Sequence, residues 1–393
     1  MNINTLRADT PGCEQRIHLN NAGAGLMPRP VLDAITNHLL LEADIGGYEA
    51  EAEAADAIEE SRAGLAQVLG APSDRVAFTE HATASFMAAL SAVDFQTGDV
   101  IATTRADYVS NQIAYLSLSH RFGVEVVRVP DAPEGGLDLA AMEEVIHRRR
   151  PKLVAVTQAP SNSGLIQDVG SVGKMCRTRD ILYLVDGCQS VGQMPVDVEK
   201  IGCDFFSGTS RKYLRGPRGA GFLFVSDRVL DTGLEPLFLD MRGADWIADS
   251  IYQPAPDARR FETWEFAWAL VLGTGEAAKY ATEIGLQSIC DRARSLATIL
   301  RENLADLDGV RVLDVGPELG ATVTTSVTGW SSVDLTHQLR MRGINTSSQT
   351  RIDAVIDYDT KGVDGALRIS PHYYNLESEL DLLTAALYEI LRL

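Results

Sequence analysis

The residues best able to do chemistry lie in two short segments. In Ser207-Gly-Thr-Ser-Arg-Lys212-Tyr-Leu-Arg-Gly-Pro-Arg-Gly-Ala-Gly221, Lys212 follows an apolar run and precedes a glycine-rich turn. Glycines let a backbone approach a ligand closely, and the hydroxyls of Ser207, Thr209 and Ser210 suit a phosphate. A lysine amine is the nucleophile that forms Schiff bases with carbonyls. Alone, the segment reads equally well as a lysine in an ordinary turn. The second segment, Tyr183-Leu-Val-Asp186-Gly-Cys-Gln189, ends an apolar run on an acid, and an unpaired carboxylate is costly to bury. One cofactor joins the two. Pyridoxal 5'-phosphate (PLP) forms an imine with a lysine and needs an acid on its pyridine nitrogen to draw electrons from a substrate α-carbon. Asp186 can be that acid, and Gln189 can reach the ring's 3'-oxygen.

These residues must be held at the ends of strands. Apolar runs at 76–79, 99–103, 124–129, 153–157, 181–185, 205–207 and 221–225 alternate with helical stretches. Several are apolar throughout, as in a sheet buried on both faces, which predicts an α/β fold with a mostly parallel seven-stranded sheet. Ligands of such sheets sit beyond the carboxyl ends of the strands, and the candidate residues follow the runs. Past residue 257 the pattern changes to a long helical stretch through 306, strands at 310–315, 321–328 and 366–370, and helices at 332–342 and 377–393. The predicted domains are an N-terminal segment 1–20 packing on the small domain, a large domain 21–256 and a smaller α+β domain 257–393. The crossing between the last two is placed at 245–260.

The 393 residues carry a net charge of −19, which repels nucleic acid and anionic membrane. Neither is expected as a partner. No signal-type start or long apolar run occurs, so a cytoplasmic location is expected. The five cysteines, Cys13, Cys176, Cys188, Cys203 and Cys290, form no CxxC pair and no metal-ligand set, so they read as free thiols and no metal is expected.

The chain resembles the class V aminotransferase and cysteine desulfurase group of fold-type I PLP enzymes. The resemblance runs from Leu19-Asn-Asn-Ala-Gly-Ala-Gly25 through Thr79-Glu-His-Ala-Thr83, Ser161-Asn-Ser-Gly164, Asp186-Gly-Cys-Gln189, Lys212 and Gly216-Pro-Arg-Gly219 to Arg368-Ile-Ser-Pro-His-Tyr-Tyr-Asn375. It implies that Lys212 carries PLP as a Schiff base and moves the protons. Asp186 then holds the pyridine nitrogen, and Ala82 and Thr83 hold the phosphate at a helix start, with His81 beside them read as structural. Thr209 and Arg211 join the cofactor contacts. Tyr108 stacks on the ring where desulfurases place a histidine. Asn162 stands beside the 3'-oxygen and the substrate carboxylate, and Arg368 binds that carboxylate, its alternative being a pairing with a surface acid. Asn21, Ala22, Gly23, Tyr48 and Arg215 are further substrate contacts. The resemblance also implies a homodimer with shared active sites, to which 46–48 and 260–265 contribute across the interface.

Departures from the pattern steer the expected reaction. Desulfurases place a nucleophilic cysteine on a small-domain loop, and no cysteine follows Cys290. In Arg260-Phe-Glu-Thr-Trp-Glu265, Glu265 stands where desulfurases have a phosphate-binding threonine, leaving Thr263 as a substitute donor. One extra residue separates Lys212 from Gly216. These features look most like the subgroup of the ergothioneine-pathway sulfoxide C–S lyase and isopenicillin N epimerase. The expectation is therefore a C–S β-lyase acting on an S-substituted cysteine or its sulfoxide. Class V transamination and epimerisation are the alternatives sharing the same parts, and persulfide-forming desulfurase activity is expected to be absent. A binding module that has lost catalysis is the non-enzyme alternative, disfavoured because Lys212, Asp186 and Arg368 are all present.

Overall fold

In the computed structural model, which describes residues 1–392, the seven apolar runs form one sheet. Its order is Val76–Thr79, Gly221–Val225, Phe205–Thr209, Leu182–Asp186, Leu153–Thr157, Val100–Thr104, Glu125–Val129. Gly221–Val225 alone runs antiparallel to both neighbours. The five interior strands are buried along their length apart from the first residue of one. That is why they read as continuous apolar runs, since helices cover both faces. This is the α/β fold with a mostly parallel sheet that the apolar runs predict.

The smaller C-terminal unit has a four-stranded antiparallel sheet ordered Val310–Val312, Val323–Val327, Gly365–Ile369, Ser347–Thr350. Helices Leu286–Ala305, Ser332–Met341 and Glu377–Ile390 pack on it through Leu296, Leu300, Leu335, Leu339, Leu383 and Leu387. The N-terminal segment reaches this unit: Ile17–His18 pairs in parallel with Ile344–Asn345, and Arg7 lies 2.9 Å from Glu379.

Two expectations change. The helical stretch 257–306 is a 3-10 turn, Ala258–Phe261, followed by helices Trp268–Ile284 and Leu286–Ala305, which break at Gly285 with φ of 92°. Trp268–Ile284 packs into the large domain's core with Val31, Ile35 and Leu65, and a Cβ on Gly275 would come 2.2 Å from Ser61 Oγ. The boundary drawn at 257 therefore moves to Gly285. The predicted crossing at 245–260 is instead a projecting hairpin, Ala244–Ala248 with Ile251–Pro254. Among the described residues no helix is long and apolar enough to cross a membrane.

Candidate active site

The carboxyl ends of the parallel strands open on a cavity of about 340 Å3. Val76–Thr79 leads to His81, Ala82 and Thr83, and Val100–Thr104 leads to Tyr108. Leu153–Thr157 contributes Thr157 and Ser161, Leu182–Asp186 contributes Asp186, Cys188 and Gln189, and Phe205–Thr209 contributes Thr209, Arg211 and Lys212. Arg218 and Gly219, from the turn into Gly221–Val225, complete the wall.

One end of the cavity is built for an anion. His81 caps helix Ala82–Ser91 by accepting from Ala84 N at 3.0 Å, and the first N–H groups of a helix have no internal acceptor. The helix start lies so close to the sheet that a Cβ on Gly221 would meet Ala82 N at 2.7 Å; only glycine fits there. Arg211 donates to the Gly23 carbonyl, and neither Arg211 nor Arg218 pairs with a carboxylate among the described residues. Two unpaired guanidiniums at a helix N-terminus suit a phosphate.

The opposite end holds a buried acid. Asp186 Oδ1 accepts from Cys188 N at 2.9 Å and Oδ2 from Asn111 Nδ2 at 3.0 Å. Both donors are neutral, so the carboxylate is left to face a cationic N–H across the cavity. Lys212 is 7% exposed and makes no ion pair among the described residues. Burial pulls its amine below the ordinary lysine range and Arg211 adds to this, while Cys188 and Asp186 oppose it. A buried amine released toward its neutral form is the nucleophile that imine formation requires. The donor set therefore fits pyridoxal phosphate: Ala82, Thr83, Thr209, Arg211 and Arg218 for the phosphate, Asp186 for the ring nitrogen, Tyr108 and Cys188 along the wall, and Lys212 for the covalent link. Burial pushes the Cys188 thiol well above its ordinary value.

Arg368 stands just behind this wall. It is buried, Nη1 donates to the Ser161 carbonyl at 3.1 Å, and Nε has no partner. No carboxylate pairs with it among the described residues, so the surface-acid alternative does not apply.

Other expected site residues lie elsewhere. Arg215 does not line the cavity. Its buried guanidinium donates to Leu26 O at 2.7 Å, to Thr10 Oγ1 at 2.6 Å and to Tyr373 Oη, and sits 4.4 Å from the Tyr374 ring centre. With a bond from each of its three nitrogens and no place on the cavity wall, it ties the N-terminal segment to 373–374. Asn21 is used similarly, donating to Ser370 O at 2.8 Å and accepting from Tyr374. Ala22 and Gly23 support the wall through their carbonyls, which accept from Gln189 and Arg211. Asn162 turns away and donates to Asp357 Oδ2 at 2.7 Å. Tyr48 and Glu265 share a separate surface cavity, and Thr263 is exposed and outside the main one. In this chain alone, neither Tyr48 nor Thr263 reaches the site. Arg218, Thr157 and Ser161 were missed; Arg218 stood in a string valued for its glycines.

A seven-stranded sheet with a single antiparallel strand, a buried lysine facing a buried aspartate and an anion cradle at a helix start define a PLP-dependent enzyme. The class V aminotransferase family matches residues 17–383, and the chain belongs to it; PLP is its cofactor. A probable cysteine desulfurase of Methanothermobacter thermautotrophicus is 28% identical, covering 99% of this chain and 98% of that protein. The apo structure of a cysteine desulfurase from Thermococcus onnurineus NA1 superposes with a TM-score of 0.92 at 26% identity, over 100% of this chain and 99% of the other. The same fold is seen in a lysine-to-alanine variant of C-DES with glycine linked to PLP, at a TM-score of 0.87 and 21% identity over 98% and 99% of the two chains.

These relatives overturn the expected reaction. They are named cysteine desulfurases, the activity that the missing loop cysteine was taken to exclude, and the reading as a lyase of S-substituted cysteines or their sulfoxides falls with that exclusion. The physical reason is that one absent loop residue removes one acceptor geometry and leaves the residues at the strand ends, which line the cavity, unchanged. Segment 346–363 does lack cysteine, but Cys188 keeps a thiol in the cavity beside Lys212.

Proposed function

We propose that the enzyme removes the sulfur of a cysteine-type amino acid, as its relatives' names describe. The observation that carries this reading is the trio of unpaired Lys212, Asp186 and Arg368 around one cavity, on a fold that matches a cysteine desulfurase along its whole length. Arg368 binds the α-carboxylate with its free Nε and remaining amino group. Lys212 Nζ would take up the substrate's α-proton and return it. Asp186 would hold the cofactor's ring nitrogen, and Tyr108, on the same wall, would lie against its ring. PLP supplies the electron sink for bonds at the α- and β-carbons.

The working form in this proposal is a homodimer. Phe238 is 86% exposed and Trp246 79% exposed, and with Met241, Ile247 and Tyr252 they line and flank the projecting hairpin. Large apolar side chains so exposed, close together along the chain, suit an interface. Tyr48 and Glu265, gathered on one surface cavity, are the residues offered to the neighbour's site.

The test is to supply PLP, L-cysteine and a reducing thiol and to assay alanine and sulfide. Equimolar alanine and sulfide, absent with Lys212→Ala, is the expected result. Production of neither by the PLP-loaded wild type overturns the proposal.

A further inference from the structure

Asp186 is not the only buried acid below the cavity. Asp107 is 5% exposed and makes no ion pair among the described residues. Its Oδ1 accepts from Thr157 Oγ1 at 2.6 Å, Tyr108 N at 2.7 Å and Asn111 Nδ2 at 3.1 Å. Its Oδ2 accepts from Gln112 Nε2 at 2.7 Å and Thr103 Oγ1 at 3.3 Å. The same Asn111 amide donates to Asp186 Oδ2 at 3.0 Å. One amide group thus bridges the two carboxylates. On the far side Gln112 passes the network to Arg128, whose Nε donates to Gln112 Oε1 at 2.7 Å.

This is more than a helix start requires. Asp107 is not the cap of Val109–Phe122, whose N-cap is Tyr108 and which has no side-chain capping bond; a cap would need only a single acceptor. Here three side chains besides Asn111, from two strands and a helix, converge on one acid that has no direct cation. The charged and titratable groups facing Asp107 are Asp186 on its strand, Tyr115 on the helix and Arg128 behind the Gln112 amide. Burial raises the Asp107 carboxyl above its ordinary range, and the bonds from Thr157, Gln112 and Asn111 oppose the rise; five donors in all favour the charged form against the cost of burial. A second negative charge behind Asp186 strengthens its grip on a cation, because the low local dielectric leaves the two carboxylates weakly screened from each other.

We infer that Asp107 is a positioning residue for the cofactor. Through Asn111 it orients Asp186, and through its charge it sets how firmly Asp186 keeps the pyridine nitrogen protonated. Through Tyr108 N it also fixes the residue that covers the ring. The inference rests on PLP as the cofactor and is independent of which substrate is used.

The test uses the holoenzyme loaded with PLP labelled with 15N at the ring nitrogen. Asp107→Asn keeps the shape and removes the charge; the ring-nitrogen signal moves toward the unprotonated position and PLP is released about tenfold more readily, the equivalent of one pKa unit lost from a neighbouring charge. Asn111→Ser removes a donor from Asp186, which makes that carboxylate more basic, so the signal moves the opposite way. A purely structural role predicts no such opposition. Unchanged signals, or shifts of the same sign in both variants, overturn the inference. Should Asp107→Asn fail to fold, Asp107→Ser, which also removes the charge, decides: a shift toward the unprotonated position supports the inference, and its absence overturns it.

Discussion

Replacing Arg368 with glutamine should weaken turnover and strengthen the empty protein. Arg368 is a buried cation whose one fixed bond, Nη1 to the Ser161 carbonyl at 3.1 Å, leaves Nε unpaired. Burial lowers its proton affinity, a sign that the unliganded site is held against a desolvation cost. A substrate carboxylate would satisfy the free donors, and a hydrogen bond to a charged group is worth about 1.5–3 kcal/mol. Arg368→Gln keeps a donor for Ser161 and removes the charge. The expected loss in kcat/KM for cysteine is roughly ten- to a hundredfold, since about 1.4 kcal/mol corresponds to tenfold, and it should fall mainly on KM. Without substrate, removal of an uncompensated buried charge should raise stability by about 1–3 kcal/mol. Steady-state kinetics with alanine detection and thermal unfolding of the PLP-loaded, substrate-free enzyme read the two effects. An unchanged KM, or a variant less stable than wild type, refutes the assignment of Arg368 to the carboxylate.

Two further outcomes follow from buried bases. The Lys212 amine is pulled down by burial, so in the PLP-free protein the unfolded chain binds more protons between its folded value and the ordinary lysine value, and stability rises with pH through that window. Lys212→Met should be the more stable protein at neutral pH, with the gap narrowing toward alkaline pH; a gap that widens refutes this. His372 is buried, bonded to Tyr213 O at 2.7 Å, and its imidazolium form is pushed down to about 3 by burial and by Arg215. Its neutral state stabilises the fold above the unfolded value near 6.5, and the contribution is lost as pH falls toward 3, at up to about 1.4 kcal/mol per pH unit. Urea unfolding between pH 7 and 4 should show a shallower acid loss in His372→Asn.

Lys212, Asp186, Gln189 and Thr83 were legible because each follows an apolar strand within a few residues, and a parallel sheet carries the ends of its strands to one edge. The partners of the misassigned residues lie far along the chain. Arg215 meets Thr10 and Tyr373, and Asn162 meets Asp357; local spacing holds no trace of such pairs. The break at Gly285 was hidden because helical periodicity continues on both sides of it. The hairpin at 244–254 was hidden by its Asp, Ala and Pro content, which reads as a linker although Trp246 and Tyr252 pair across it. Asp107 sat in a string read only for its tyrosine, and its meaning depends on Thr157 arriving from the neighbouring strand.

The charges of the site give a last prediction. A chain with net charge −19 nevertheless gathers Lys212, Arg211, Arg218 and Arg368 in or against one cavity, none paired with a carboxylate among the described residues. Acidic surface and cationic cavity make sense together if the cations in excess of Asp186 are balanced by ligands, with a phosphate at the helix start and a carboxylate at Arg368. The PLP-free protein should then be stabilised by inorganic phosphate alone. At ten times its dissociation constant the gain is about 1.4 kcal/mol, from RT ln(1 + [L]/Kd). The shift in unfolding midpoint should exceed that in chloride of equal ionic strength and should shrink in Arg218→Gln, whose guanidinium faces the cradle. Equal midpoints in phosphate and chloride would show that these cations are neutralised by something other than an anion at the helix start.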